Sequence, residues 1–170
     1  MIMMGFAHGG SMLDPQITPL VPVLKSYWLM IHVGIIASSY GFFALSMVIG
    51  VIALILICIK PTKKIKLSIQ EMTIVSEMSL TVGMLTLTIG TFLGGMWANE
   101  SWGRYWSWDP KETWAFISII VYAIVLHLRL VPGLRGKWVF NMATMWAIWT
   151  IVMTYFGVNY YLSGLHTYAA

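Results

Sequence analysis

Apolar positions fall into four long stretches separated by short polar ones. The first runs from Ser26 to Ile59 between Lys25 and Lys60. As one helix its roughly 34 residues would reach about 50 Å. A hydrocarbon core is only about 30 Å thick, so one end must project beyond the bilayer. The second stretch covers Met72 to Trp97, the third Trp114 to Leu130 and the last Trp138 to Val158. Filling the bilayer with about 20 residues per helix predicts spans near 39–59, 74–97, 114–130 and 138–158. Residues 1–25 form a mixed lead-in in which Pro15, Pro19 and Pro22 oppose any long helix. The expected architecture is all-α, a polytopic membrane bundle of about four helices occupying 26–170.

Composition agrees and excludes a soluble domain: 59% of residues are hydrophobic, 9% are charged and the mean hydropathy is +0.80. The net charge of +4 is a topology signal. Lys60, Lys63, Lys64, Lys66, Arg129, Arg135 and Lys137 occupy two short connections, against Lys25, Arg104 and Lys111 elsewhere. That asymmetry puts the two basic connections in the cytoplasm, and both termini and the stretch 98–113 outside. It leaves no support for a nucleic-acid partner. Cys58 is the one cysteine, which excludes a disulfide framework, a CxxC motif and a cysteine-based zinc site. Residues 1–13 lack the charged leader of a cleavable signal peptide.

The chemistry is concentrated in the outer connection, W-G-R-Y-W-S-W-D-P-K-E-T-W at 102–114. Trp102, Trp106, Trp108, Trp114 and Tyr105 lie there beside Arg104, Asp109, Lys111 and Glu112. An aromatic belt anchoring helices at the interface accounts for Trp28, Trp97, Trp138, Trp146 and Trp149. It does not require Gly103, the Trp-Asp-Pro turn or the charges. Flat indole surface with polar edges suits a large planar ligand. Asp109, Pro110 and Glu112 also read as N-cap, N1 and N3 of the next helix.

Four histidines complete the inventory. His32 falls about two turns beyond the outer boundary of the first span, and His166 follows the last span, so both share the loop's side. His127, in IVLHLR, sits in the inner half of the third helix, where an ionisable group is a functional candidate. His8 lies in the Gly-rich lead-in and is given no role. Two imidazoles beside an aromatic platform can ligate haem iron axially, with Arg104 and Lys111 available to propionates. An electron-carrying membrane b-type cytochrome, a haem transporter or permease subunit, and a haemless scaffold using the loop as a lid remain the alternatives.

The loop resembles the tryptophan-rich "WWD" signature of haem-handling membrane proteins. Y-W-S-W-D-P-K-E-T-W at 105–114, LDPQITPLVPVLKSYWLMIHV at 13–33 and YAIVLHLR at 122–129 are similar to the CcsA/ResC branch of cytochrome c biogenesis System II. The likeness extends from about Leu13 to His166. It implies that His32 and His166 are the external axial ligands of haem b, that Trp102, Gly103, Arg104, Tyr105, Trp106, Trp108 and Asp109 form the haem-facing loop, and that His127 holds or passes haem within the bilayer. It implies a component of a cytochrome c synthase, presenting haem for thioether formation with the Cys-X-X-Cys-His motif of apocytochrome c. Implied partners are a ResB/CcsB-type membrane protein, apocytochrome c, thiol-disulfide reductant proteins and membrane lipid. The implied location is a bacterial inner membrane or a thylakoid. Members carry further spans upstream of the His32 helix, so the expectation is the C-terminal half of the family's core.

Overall fold

The computed structural model describes residues 26–59, 62–162 and 164; the lead-in 1–25 and His166 lie outside them. Four helices account for nearly all of it, and each is long and apolar enough to cross a membrane. Helix α1 is Tyr27–Cys58, α2 is Lys63–Trp102 and α3 is Pro110–His127, followed by a 3₁₀ turn at Leu128–Leu130. Helix α4 spans Lys137–Tyr161 and contains a π-helical turn at Met153–Gly157.

The second helix is longer at both ends than its apolar stretch. Lys63, Lys64 and Lys66 belong to its first turns, because Thr62 caps it, with Oγ1 accepting from Ile65 N at 3.4 Å. At the other end nothing in Ala98 to Trp102 opposes helix. It stops at Gly103, whose φ of 72° is left-handed and whose N–H donates to Asn99 O at 2.9 Å. The aromatic loop expected over 98–113 is therefore confined to Gly103–Asp109, and Trp102 is helical.

Helices α1 and α2 pack antiparallel along most of their length; α4 closes against α1, and α3 against α4 and α2. Small residues permit the α1–α2 approach. A Cβ on Gly83 would lie 2.9 Å from Phe43 Cε1, and one on Gly90 2.7 Å from Ile36 Cδ1. Hydroxyls continue the seam: Ser46 Oγ donates to Ser76 O at 3.0 Å, and Ser79 Oγ to Phe42 O at 3.0 Å. Phe43 reaches across the bundle to stack on Tyr122 of α3, centroids 3.8 Å apart. Around this pair Leu80, Leu87, Val125, Phe140, Ala147 and Ile151 form the core. Leu45, Ile55, Leu85, Ile124 and Trp146 are among many large apolar side chains facing outward, as a bilayer-embedded bundle requires.

At the end away from the loop, Arg129 joins three elements. Its Nε donates to Glu77 Oε2 at 3.0 Å, its Nη1 to Arg135 O at 2.8 Å, and its guanidinium lies 5.5 Å from the Phe140 ring centre. Charge counting assigns Arg129 only a topological role, whereas the fold uses it to neutralise a carboxylate on α2.

Candidate functional site

The aromatic loop is built from its C-terminal end. Asp109 is buried and caps α3, accepting from Lys111 N at 3.2 Å in a full capping box with Glu112. Pro110 at the first helical position supplies the right φ without an N–H to satisfy. The start signal read from Asp109, Pro110 and Glu112 thus holds. Glu112 does more than the box requires. Its Oε2 accepts from Ser107 N at 2.8 Å and Asp109 N at 3.3 Å, so one carboxylate gathers two loop N–H groups. Between them Trp108 has a φ of 58°, left-handed for a bulky residue, and Thr113 Oγ1 donates to its carbonyl at 3.3 Å. Clasped on both sides, Trp108 holds a conformation it would not choose alone. Its ring is exposed and meets Trp106 edge-to-face, centroids 5.7 Å apart. Both rings stand edge-on to Phe116 of α3.

Glycines of α2 receive the loop and His32 on neighbouring faces. A Cβ on Gly95 would lie 3.1 Å from Tyr105 O, so the loop backbone runs directly over the helix there. A Cβ on Gly94 would lie 2.6 Å from His32 Cε1, so the imidazole rests on that glycine. Nδ1 of His32 is 2.7 Å from Gly90 O. A carbonyl only accepts, so Nδ1 is the donor, and in the neutral imidazole the lone pair then falls on Nε2. This is the second-sphere arrangement found for metal-ligating histidines, in which one nitrogen is oriented by a backbone carbonyl while the other ligates.

Two adjoining spaces result. A cavity of about 100 Å³ lies among His32, Tyr40, Gly94, Lys111, Glu112 and Thr154. A larger cleft of about 490 Å³, walled almost wholly by apolar surface, lies among Thr88, Phe92, Trp108, Phe116 and Ile119. Thr91, Gly95, Tyr105 and Trp106 line both, so Tyr105 and Trp106 stand between the imidazole and the cleft. Only the cleft has the volume of a small-molecule site, roughly 300–1,000 Å³.

The sequence candidates are thus brought together in part. His32, Tyr105, Trp106 and Trp108 converge. Trp102, Gly103, Arg104 and Asp109 line neither space. Trp102 instead packs edge-to-face on the buried Trp97, and Asp109 is engaged in capping. Gly103 turns the chain, and Arg104 is exposed at the rim. Lys111, suggested for propionates, donates from Nζ to Asn159 Oδ1 at 2.8 Å, just past the π-turn of α4. His127 ends α3 on its outward face, its Nδ1 donating to Ala123 O at 2.7 Å, and is remote from both spaces. Gly164, two positions before His166, lies against Asp109 Oδ1 and Pro110, bringing the chain back to the loop's base. Among the described residues no group of three His, Cys, Asp or Glu side chains could hold a metal ion. Gly94, Gly95 and Phe116 escaped sequence reasoning. Glycines in an apolar helix signal close approach without naming what approaches, and one phenylalanine among many apolar residues carries no mark.

Comparison with known proteins identifies the family. Residues 1–166 match the family model described as cytochrome C assembly protein. The chain is 53% identical over 161 residues to Protein NrfI of Wolinella succinogenes, covering 94% of this chain and 18% of that protein. It is 41% identical over 157 residues to the cytochrome c biogenesis protein CcsA of Chlamydomonas reinhardtii, covering 90% of this chain and 44% of that one. Against CcsA of Cyanophora paradoxa the identity is 33% over 216 residues, with coverages of 98% and 66%. The chain therefore spans less than half the length of the first two relatives.

Proposed function

The chain belongs to the cytochrome c assembly protein family and is a multi-pass membrane protein, and on that footing we propose that it binds haem at its aromatic loop and presents it for covalent attachment to apocytochrome c. Haem is here the cargo, delivered rather than retained. The observation that carries the reading is the placement of His32. Its imidazole is held by Gly90 in the ligating tautomer, one pair of aromatic rings away from an apolar cleft of suitable volume.

In this reading the porphyrin lies against Trp108, Phe116 and the Tyr105–Trp106 pair, and His32 and His166 ligate the iron. For His32 to do so, Tyr105 and Trp106 must swing aside, and Gly103 at their N-terminal flank permits that. The exposed Arg104 is the cation placed to meet propionates, since Lys111 is held by Asn159. His127, facing outward at the far end of α3, is a second holding point for haem outside the loop site. The chain contributes orientation and protection of the iron, and the apoprotein's thiols supply the bond-forming groups. A ResB/CcsB-type partner and thiol reductants complete the assembly, and the loop faces the extracytoplasmic side on the strength of the lysine and arginine distribution.

Absorption spectra of the protein purified from membranes test this. A low-spin bis-histidine spectrum is expected, lost in the His32→Ala/His166→Ala double variant; persistence of that spectrum in the double variant would overturn the ligand assignment. His127→Ala should lower haem loading without altering the spectrum of what loads. Dependence of cytochrome c maturation on the chain separates delivery from electron transfer, in which case maturation would proceed without it.

A further inference from the structure

At the end of the bundle opposite the aromatic loop, two helix starts converge. Helix α2 begins at Lys63 and α4 at Lys137. Lys63, Lys64, Lys66 and Lys137, with Leu67 and Gln70, surround one open hollow of about 770 Å³. Among the described residues no carboxylate lines it. Glu71 is the nearest acid along α2 and lies outside the lining, and Glu77 is engaged by Arg129. None of the four lysines forms an ion pair among the described residues. A rule that merely places cations on one side of the membrane scatters them along connections. Here lysines from two helices, 71 to 74 positions apart in sequence, face the same space.

A second hollow adjoins the first. It is lined by Ile57 of α1, Ile69 of α2 and Trp138 of α4, and it shares Lys66 and Lys137 with the basic one. One side of that lysine pair is therefore cationic and the other is an apolar crevice between three helices, with a half-exposed indole at its edge. A free phosphate has use for the cationic part alone. A phospholipid matches both parts, with its headgroup phosphate among the lysines and the first segment of an acyl chain against Ile57, Ile69 and Trp138. Lysine clusters beside a membrane helix attract anionic lipid with about fivefold in affinity for each cation near the surface. We propose that this pair of hollows is a binding site for one anionic phospholipid, straddled by Lys66 and Lys137. It is independent of the haem reading and lies at the other end of the molecule.

Native mass spectrometry of the whole chain in mild detergent, offered phosphatidylglycerol and phosphatidylcholine together, provides the test. Preferential retention of phosphatidylglycerol is expected. In K66Q/K137Q the preference should fall roughly 25-fold, two lysines at about fivefold each. K66R/K137R should keep it, and R135Q, a cation near the same end outside both hollows, should leave it unchanged. K63Q/K64Q removes headgroup charge without touching the start of α4 and should weaken the preference comparably, whether or not the first pair folds. Excess inorganic phosphate should displace no lipid. Equal retention of the two lipids, a preference that survives both lysine pairs, an equal loss in R135Q, or displacement by inorganic phosphate would each overturn the proposal.

Discussion

Gly94→Ala is the sharpest probe of how His32 is held. The added methyl would sit 2.6 Å from Cε1 and 2.8 Å from Nδ1 of the imidazole, whose Nδ1 lies 2.7 Å from Gly90 O. Separating α1 from α2 would disturb the whole glycine and serine seam, so the ring must swing and its hydrogen bond break. Overpacking of this kind costs about 1–3 kcal/mol, and loss of the bond about 0.5–1.5 kcal/mol. Against them, alanine in a helix interior gains about 1 kcal/mol over glycine. The wild-type background should therefore lose roughly 0.5–3.5 kcal/mol. With His32→Ala the obstruction is gone, and Gly94→Ala should stabilise by up to about 1 kcal/mol. The predicted coupling between the two sites is the difference, about 1.5–4.5 kcal/mol. Denaturant or thermal unfolding of the four purified variants measures it. Haem absorption gives a second readout: Gly94→Ala should lower haem retention, and the double variant should retain no less than His32→Ala alone. An effect of Gly94→Ala equal in sign and size in both backgrounds would refute the contact.

Other changes test the loop and its opposite end. Asp109→Ala should destabilise by about 1 kcal/mol and hasten tryptic cleavage at Arg104, whereas Asp109→Asn, also a good cap, should restore both; a loss of stability common to both variants would point to a role for the carboxylate charge. Arg129→Gln should cost about 1–3 kcal/mol in thermal unfolding, between an exposed and a buried pair, and Glu77→Gln added to it should recover part of that loss. Trp108→Gly relieves a left-handed conformation worth roughly 1–2 kcal/mol to a bulky residue while freeing the unfolded chain by about 0.4–1 kcal/mol. These two terms net to a gain of about 0–1.6 kcal/mol, while the lost edge contacts with Trp106 and Phe116 cost about 0.5–1.5 kcal/mol each. Unfolding should therefore show a loss of no more than about 3 kcal/mol, and retention of a flat apolar ligand should fall because one wall of the cleft is removed.

Periodicity and length were enough to mark four membrane-length helices, because long apolar runs have few other solutions. The capping box was legible for a similar reason: Asp, Pro and Glu at fixed spacing act locally, and α3 begins where they say. Tertiary partners were not legible. Lys111 is as good a candidate for a propionate as Arg104 until α4, phase-shifted by its π-turn, presents Asn159 to it. Arg129 looks like any inner-loop cation until Glu77, 52 positions earlier, is found beside it. The helical wall of the apolar cleft has no sequence signal, since Phe92, Phe116 and Ile119 differ in no way from residues that face lipid, whereas its loop wall of Tyr105, Trp106 and Trp108 was legible.

The depth of His32 can be argued from α1 alone or from its pairing with α2. Counting about 20 residues back from Ile59 places it two turns outside the bilayer, and on α1 alone that count is sound. The antiparallel seam adds a constraint. His32 lies on Gly90 and Gly94, Ile36 on Gly90 and Phe43 on Gly83, so each step up α1 is matched by a step along α2. By that register His32 stands level with the last turns of the second apolar stretch, not above them. The two apolar runs share a centre, since Phe43, at the middle of the α1 run, lies on Gly83, close to the middle of the α2 run. About 20 residues centred on that shared midpoint would put the imidazole at the rim of the apolar layer, beside Gly90 and Gly94. On the proposed haem reading, the porphyrin would reach that depth through the cleft between α2 and α3, with its charged edge toward the exposed Arg104.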